Sequence, residues 1–154
     1  MIQEEKEQID RLVGIWLTGL QSCANDAGWE GMSLAARLIE YLGEPPGPTG
    51  NDQSNLTMIN AIRLLRDRHA EFPAIAAAMS MLLRMPDTRD LALAIAARNY
   101  YQGLCEWTGK TWTDHERASM HDMTFQEFRW ALERAYPAVR RELDRVDVYS
   151  RFIA

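Results

Sequence analysis

The sequence predicts an all-α fold, a compact domain built from several helices, and three observations support it. Apolar residues recur at intervals of three and four along most of the chain, which is the period of an amphipathic helix. No segment shows the apolar–polar alternation that is typical of a half-buried strand. The chain has 154 residues, of which 47% are hydrophobic. That is enough to fill the core of one domain.

The first half of the chain predicts three helices and one long loop. The segment MSLAARLIEYLG has Ser33 as a candidate N-cap and Gly43 as a stop. The segment EPPGPTGNDQS cannot propagate a helix, because it holds three prolines and two glycines. The helix before these segments has a face formed by Ile9, Leu12, Val13, Trp16, Leu17 and Leu20. The helix after them is capped by Ser54 and turns Leu56, Ile59, Ile62 and Leu65 inward.

The middle of the chain predicts two further helices and a loop. FPAIAAAMSMLLRM places Pro73 near a helix start, where a missing N–H costs least, and Pro86 ends this helix. The next helix, DTRDLALAIAARNYYQGL, has Asp87 or Thr88 as its cap. The alanines in both helices permit close packing. The loop CEWTGKTW follows, and its two tryptophans, Trp107 and Trp112, are expected to be lids on the core.

The last part of the chain predicts a short helix, a turn and a longer helix. Thr113 is expected to cap the short helix DHERASM, and Thr124 the longer one, FQEFRWALERAY. Ala118 supplies the small side chain that two closely crossing helices require, and Asp122 tolerates the left-handed geometry of a turn. Pro137 either kinks the long helix or begins a new one. The residues expected to face inward are Phe128, Ala131, Leu132 and Ala135.

Composition excludes several classes of protein. No apolar run reaches the roughly 20 residues that span a bilayer. The acidic start MIQEEKEQID is unlike a signal peptide, so we expect a cytoplasmic protein whose cysteines are buried thiols. A zinc site from Cys105, His115 and His121 is the least favoured interpretation. There is no catalytic constellation, and we therefore expect no enzymatic activity, no cofactor and no metal.

The net charge of −5 argues against a general coat for nucleic acid, but the charges are unevenly distributed. Residues 1–50 carry three basic and eight acidic side chains, whereas residues 124–145 carry five arginines and four acids. Any contact with DNA would therefore be local and confined to the last part of the chain. We divide the chain into an N-terminal helical part, 1–86, and a C-terminal part, 87–154, and expect both to form one continuous globular unit.

The short helix, turn and long helix fit a helix-turn-helix, in which the start of the second helix meets base edges. Gln126 and Arg129 have side chains that pair with adenine and guanine. Arg134, Arg140 and Arg141 suit phosphates. The outward residues that complete the predicted DNA-binding set are Thr124, Glu127 and Trp130. A helical hairpin that only closes a core remains open, because many bundles contain two helices joined by a short turn.

Two segments of the chain resemble the C-terminal half of the phage Q antitermination family. They are ALAIAARNYYQGL and ERASMHDMTFQEFRWALERAYPAVRREL, and this half of the family is similar to region 4 of bacterial sigma factors. The resemblance covers Leu91 to Leu143 best, and WEGMSLAARLIEYLG and NLTMINAIRLLRDR are similar in layout to the N-terminal half. The chain differs in its longer CEWTGKTW segment and at His121 and Asp122, and it lacks the cysteines of the zinc-finger branch.

The resemblance implies a transcription antitermination factor in the cytoplasm of a bacterial host cell. Such proteins bind a double-stranded DNA site that overlaps a late promoter, where two copies can bind. They load onto paused RNA polymerase holoenzyme, including its sigma factor, and modify the RNA exit channel so that pausing and termination are suppressed. The acidic residues 1–86 would then face the polymerase. Two alternatives remain: a helix-turn-helix regulator that acts only at the promoter, and an all-α interaction module that does not bind DNA.

Overall fold

The computed structural model describes residues 1–24, 34–41 and 69–153. These residues form helices and no strand, which confirms the predicted all-α class. Leu104 and Thr111 make an isolated antiparallel bridge. The helices are α1 (Gln3–Ala24), α2 (Leu34–Tyr41), α3 (Phe72–Arg84), α4 (Pro86–Tyr100), α5 (Asp114–Met120) and α6 (Phe125–Ile153).

Several predictions for the first half fall outside the described residues. They are the N-cap at Ser33, the stop at Gly43, the loop of residues 44–54 and the helix that begins at Ser54. The helix between Ser33 and Gly43 is present as α2, whose Leu34 and Leu38 are buried.

The buried face of α1 is the one that its periodicity predicts. All six of the expected residues are buried, and they belong to one hydrophobic cluster that also holds residues of α2, α3, α4, α5 and α6. Helix α1 has one apolar face, which packs on the cluster, and its polar face is left to solvent. The confirmed residues are Ile9, Leu12, Val13, Trp16, Leu17 and Leu20.

Helix α4 is the central helix of this cluster. Six consecutive residues, Ala92 to Ala97, are buried, so the middle of the helix is enclosed on every side. A helix that is apolar all round has to be surrounded by other elements, and α1, α3 and α6 all pack against this one. Its alanines have short side chains, which lets the neighbouring helices approach closely, as the sequence predicts.

The junction between α3 and α4 corrects one prediction. Helix α3 has Pro73 in its first turn, as expected, but α4 begins at Pro86 with Met85 as its N-cap, so neither Asp87 nor Thr88 is the cap. Met85 is extended because a residue that precedes proline is disfavoured in the α region. Thr88 instead donates a hydrogen bond to the Leu82 carbonyl at 2.8 Å and so satisfies an acceptor at the end of α3.

A polar cluster ties α1 to α4 and α6. The Asp10 carboxylate accepts hydrogen bonds from the Tyr136 hydroxyl and from Asn99 Nδ2, each at 3.0 Å. Arg98 Nε lies 3.7 Å from the same carboxylate. Burial, reinforced by the Asp10 charge, raises the pKa of Tyr136 to about 12. Three helices that are distant in sequence are thereby joined by one carboxylate.

The segment between α4 and α5 is a tight turn, and its two tryptophans behave differently. Gly103 and Gly109 have φ values of 73° and 69°, which a side chain would strain. Trp112 packs on the core, with its ring 4.6 Å from that of Tyr101, so it is a lid as predicted. Trp107 is 75% exposed and meets Trp112 edge-on at 6.0 Å, so the prediction for Trp107 is wrong.

Pro137 lies inside α6 without ending it. The helix continues to Ile153, so Pro137 does not begin a new helix. Because proline has no N–H, the Glu133 carbonyl lacks its helical hydrogen-bond partner. Pro137 and Glu133 are both exposed, so this carbonyl can bond to water. Neither α6 nor any other helix in the described ranges is long and apolar enough to cross a membrane.

Candidate nucleic-acid interface

Helix α5, the turn after it and the start of α6 form the segment in which the sequence predicts DNA contacts. Thr113 caps α5 by accepting a hydrogen bond from the Glu116 N–H at 3.3 Å, and Thr124 accepts one from the Glu127 N–H at 3.1 Å at the start of α6. Between the helices, Asp122 has a φ of 54°. Both caps and the left-handed turn residue are therefore as predicted.

Ala118 is the only buried residue of α5, and α5 packs against both α6 and α4. Ala118 is 1% exposed, and its carbonyl accepts hydrogen bonds from the N–H groups of His121 and Met123, at 3.1 and 3.0 Å. The backbone thus turns directly around this residue. On α6 the residues expected to face inward, Phe128, Ala131, Leu132 and Ala135, are all buried in the same cluster. The predicted burial of Ala118 and of the inward face of α6 is confirmed, and the opposite face of α6 is therefore exposed.

All eight residues predicted to contact DNA lie on the surface. Thr124 also has a structural role as a cap, and Arg140 forms an exposed ion pair with Asp144 at 3.5 Å. Their exposure leaves them accessible to a ligand, and their role in DNA binding stays a prediction. The set is Thr124, Gln126, Glu127, Arg129, Trp130, Arg134, Arg140 and Arg141.

The exposed side of α6 has two edges, because each residue turns a helix by about 100°. Arg129, with Arg140 on the same side, borders α5, since it is bonded to Asp114 of that helix. Trp130 and Arg134 border the first turns of α4, since they line a groove with Asp87 and Asp90. Gln126 lies between the two edges. The eight residues therefore do not form one uniform surface.

Arg129 is held in place by α5. Its Nη1 donates to Asp114 Oδ2 at 2.9 Å, while Arg117 Nη1 donates to the other oxygen of this carboxylate at 2.8 Å. Burial raises the pKa of Asp114, but the hydrogen bonds and charges of Arg129 and Arg117 outweigh burial, and the net pKa is lowered. Asp114 is thus ionised at neutral pH. Arg117 is anchored in turn, because its Nε donates to the Tyr101 carbonyl at 2.9 Å.

The Phe125 ring lies near the Arg129 guanidinium. Phe125 has its ring centroid 6.0 Å from the guanidinium carbon, at the limit of a cation–π contact. Phe125 is itself stacked on His115, with centroids 3.9 Å apart and planes 12° from parallel. The Asp114 carboxylate and the Phe125 ring together restrict Arg129. Sequence spacing does not reveal this arrangement, because Asp114 and Arg129 are 15 residues apart and lie on different helices.

The edge of α6 that holds Trp130 and Arg134 lies beside negative charges that the sequence did not predict there. A groove of about 230 Å³ separates the start of α4 from α6, and Asp87, Asp90 and Glu127 line it together with Arg134 and Trp130. Three carboxylates against one guanidinium disfavour the approach of a phosphate. Only the packing of α4 against α6 brings Asp87 and Asp90 beside Trp130, so no local pattern could have identified them.

The described residues contain no group of three or more His, Cys, Asp or Glu side chains that could hold a metal ion. Cys105, His115 and His121 therefore do not come together as a zinc site. Cys105 is buried, as expected of a structural thiol. Burial lowers the pKa of His121, against the opposing charge of Asp122, and the His121 ring meets that of Tyr101 at 6.3 Å.

The chain matches no protein-family model, and comparisons with curated proteins and with solved structures give no match.

Proposed function

We propose that this protein is a transcription antitermination factor whose α5–α6 pair is a helix-turn-helix similar to sigma region 4. The observation that carries the proposal is the arrangement around Ala118. Two capped helices cross at a buried alanine through a left-handed turn, and the first turns of the second helix present Gln126 and Arg129 to solvent. A helix-turn-helix that inserts its second helix into the major groove has these properties.

In this proposal Gln126 and Arg129 contact base edges, and Arg140 and Arg141 contact phosphates further along α6. Arg129 suits guanine because its guanidinium is already restricted, so less entropy is lost on binding. Thr124 lies at the positive N-terminus of α6, which also favours a phosphate. Glu127, Trp130 and Arg134 belong to the same predicted set, but the carboxylates of the groove make their edge the less favourable one for DNA.

The polymerase part of the proposal depends on the resemblance and on charge. The N-terminal residues 1–50 have eight acidic and three basic side chains, so DNA repels them and another partner is needed for this surface. The partner named by the resemblance is paused RNA polymerase holoenzyme, including its sigma factor. The protein would travel with the polymerase, modify the RNA exit channel and suppress pausing and termination, in the cytoplasm of a bacterial host.

In vitro transcription past a terminator tests the whole proposal. The template carries the cognate late promoter region, and the matched control template has the DNA site deleted. We expect readthrough only with the intact site. Readthrough that is equal on both templates would exclude loading through DNA. Promoter binding without readthrough would instead indicate a helix-turn-helix regulator that acts only at the promoter.

Salt dependence tests the DNA contact by itself. Two or three phosphate-contacting arginines predict that log Kobs falls with log salt with a slope of about −2 to −3. A steep slope, near that of a broad basic surface, would contradict the local contact proposed here. If no duplex selected from a randomised pool binds at low salt, the protein is an interaction module without DNA binding.

A further inference from the structure

The groove between the start of α4 and the first turns of α6 has the features of a docking site. Its apolar part is formed by Leu91, Met123, Trp130 and Ala131. Leu91 and Met123 are only partly buried against the core, and Trp130 is 63% exposed. Burying such an indole would be favourable, since aromatic side chains contribute the largest areas to protein interfaces. We refer to this feature as the α4–α6 groove.

Carboxylates surround the apolar part of the groove. Asp87 and Asp90 lie on the α4 side and Glu127 on the α6 side, and no ion pair joins any of them to Arg134 among the residues that the structure describes. Two helix N-termini meet here, and each contributes roughly half a positive charge. Together with Arg134 they offset about two of the three negative charges. A net negative charge of about one remains beside an exposed indole.

We infer that the α4–α6 groove binds an arginine-bearing segment of a partner protein. An exposed indole beside carboxylates suits a guanidinium, which stacks on the ring face while it bonds to the carboxylate oxygens. A groove of about 230 Å³ has room for one long side chain rather than for a helix. A DNA backbone is the poorer occupant, because its phosphates would meet Asp87, Asp90 and Glu127. This inference does not depend on the proposed DNA binding.

The inference assigns Glu127, Trp130 and Arg134 to protein binding and leaves Gln126, Arg129 and Arg140 for DNA. Arg141 is on the same side of α6 as Trp130 but about two turns beyond Arg134, outside the groove, so it also stays available to DNA. Arg134, at the rim of the groove, would pair with an acidic residue next to the arginine of the partner. The two edges of one helix would then hold two ligands of opposite charge at once. A DNA-bound protein could in this way hold a second protein beside its DNA site.

Titration of the full-length protein with short capped peptides tests the inference. The probe is acetyl-Ala-Leu-Arg-Leu-Ala-amide, and the matched control contains citrulline, the neutral isostere of arginine. We expect saturable NMR shifts of the Trp130 indole N–H and the Met123 methyl, with a Kd of about 1 mM or tighter. The citrulline peptide should bind about tenfold more weakly. Equal shifts with both peptides, or none with the arginine peptide at several times that concentration, overturn the inference.

Substitutions locate the contact. Asp87→Asn with Asp90→Asn should weaken binding of the arginine peptide about three- to tenfold, because exposed ion pairs are individually weak. Trp130→Ala should abolish the saturable shift of Met123. Glu133→Gln removes a charge that does not line the groove and should leave the affinity unchanged. Because all these positions are exposed, circular dichroism should show that the substitutions leave the helices intact. If a mixed-sequence DNA duplex shifts Trp130 and the arginine peptide does not, the groove belongs to the DNA interface and the inference is wrong.

Discussion

At the scale of single residues, Arg129 is the side chain on which the proposed DNA recognition depends most. It is 51% exposed, and its guanidinium donates a hydrogen bond to Asp114 at 2.9 Å. Exposed ion pairs of this kind contribute at most about 1 kcal/mol to stability. The pair therefore matters more for orienting the guanidinium than for holding the fold. The same carboxylate also binds Arg117, which fixes its position on α5.

Replacing Arg129 or Gln126 by alanine should weaken specific DNA binding without unfolding the protein. Loss of a bidentate base contact costs about 1–3 kcal/mol. We expect that reduction in each variant, measured by fluorescence anisotropy with a selected duplex. Arg11→Ala is the matched control, because Arg11 also forms an exposed ion pair and lies outside α5 and α6. Its partner is Glu71, at 3.5 Å. Unchanged affinity in both Arg129→Ala and Gln126→Ala would exclude this face of α6 as the reading surface.

Tyr136 should make stability depend on pH in the alkaline range. The folded-state pKa of about 12 lies above the usual value of 10, so the protonated hydroxyl is favoured by folding. Its contribution is complete below pH 10 and is lost as pH rises through 12. Tyr136→Phe removes a hydrogen bond to a carboxylate and should cost about 1–3 kcal/mol at neutral pH.

Urea unfolding across this alkaline range checks the assignment. The difference in free energy of unfolding between the wild type and Tyr136→Phe should shrink as pH rises, because only the wild type has this group to ionise. A Tyr136→Phe difference that is the same at every pH would mean that the hydroxyl is not held by Asp10.

At the scale of elements, α5 and α6 are positioned by local signals and by one small side chain. Helices α5 and α6 begin after the caps Thr113 and Thr124. The left-handed Asp122 lies in the turn that follows the end of α5. Ala118 is the buried residue of α5, so a larger side chain there would press against the hydrophobic cluster. We expect the position of α5 relative to α6, and with it the presentation of Gln126 and Arg129, to depend on this alanine.

Ala118→Leu should destabilise the protein by about 1–3 kcal/mol, because overpacking forces neighbouring side chains out of their preferred rotamers. It should also weaken DNA binding by displacing α5 from α6. Ser119→Leu places the same side chain at the exposed neighbouring position and should change neither property. Thermal unfolding and DNA binding measured together provide the check. An unchanged melting temperature in Ala118→Leu would show that the crossing is looser than its burial indicates.

Pro137→Ala should stabilise α6. Proline costs up to about 3 kcal/mol relative to alanine inside a helix, because it removes one backbone hydrogen bond and crowds the preceding turn. Its exposed position means that alanine adds no clash. Pro86→Ala is the control, since Pro86 occupies a first-turn position of α4 where proline is favoured, and it should give no gain. The contrary result, a lower melting temperature for Pro137→Ala, would mean that a bend at Pro137 is required by the packing of α6.

At the scale of the whole molecule, one hydrophobic cluster extends on both sides of position 86. Helix α4 packs against α1 and α3 as well as against α6, so a fragment of residues 87–154 would expose apolar surface of α4. The division into a polymerase-facing part and a DNA-binding part stays a prediction about function. Substitutions in the full chain test it better than truncation does.

Glu4→Gln with Glu5→Gln should separate polymerase engagement from DNA binding. Both residues are exposed in the first turn of α1, so the protein should stay folded, at a cost of at most about 1 kcal/mol per residue from the helix dipole. We expect unchanged DNA affinity and a several-fold loss of terminator readthrough. The control is Glu106→Lys, which changes the net charge by the same amount at an exposed position outside α1 and the α5–α6 pair. Normal readthrough in the α1 variant would show that this acidic end does not engage the polymerase.

The sequence alone determined the helices of the part of the chain that the structure describes, the caps of α5 and α6, and the buried faces of α1 and α6. Thr113, Thr124, Asp122 and the inward residues of α1 and α6 were all predicted correctly, because caps and periodicity act within three or four residues along the chain. The start of α4 at Pro86 was missed, although it also is local. Pro86, which was predicted to end α3, is also the first residue of α4.

Only the tertiary structure decided which side chains meet across helices. Asp114 with Arg129, Asp10 with Tyr136, and Asp87 with Trp130 come together through packing, at sequence separations that no helical period encodes. The same holds for Trp107 and Trp112, which have similar sequence surroundings but lie at the tip and at the base of one turn. Helix crossings result from the whole core, so the charges and grooves between helices become defined only when that core has formed.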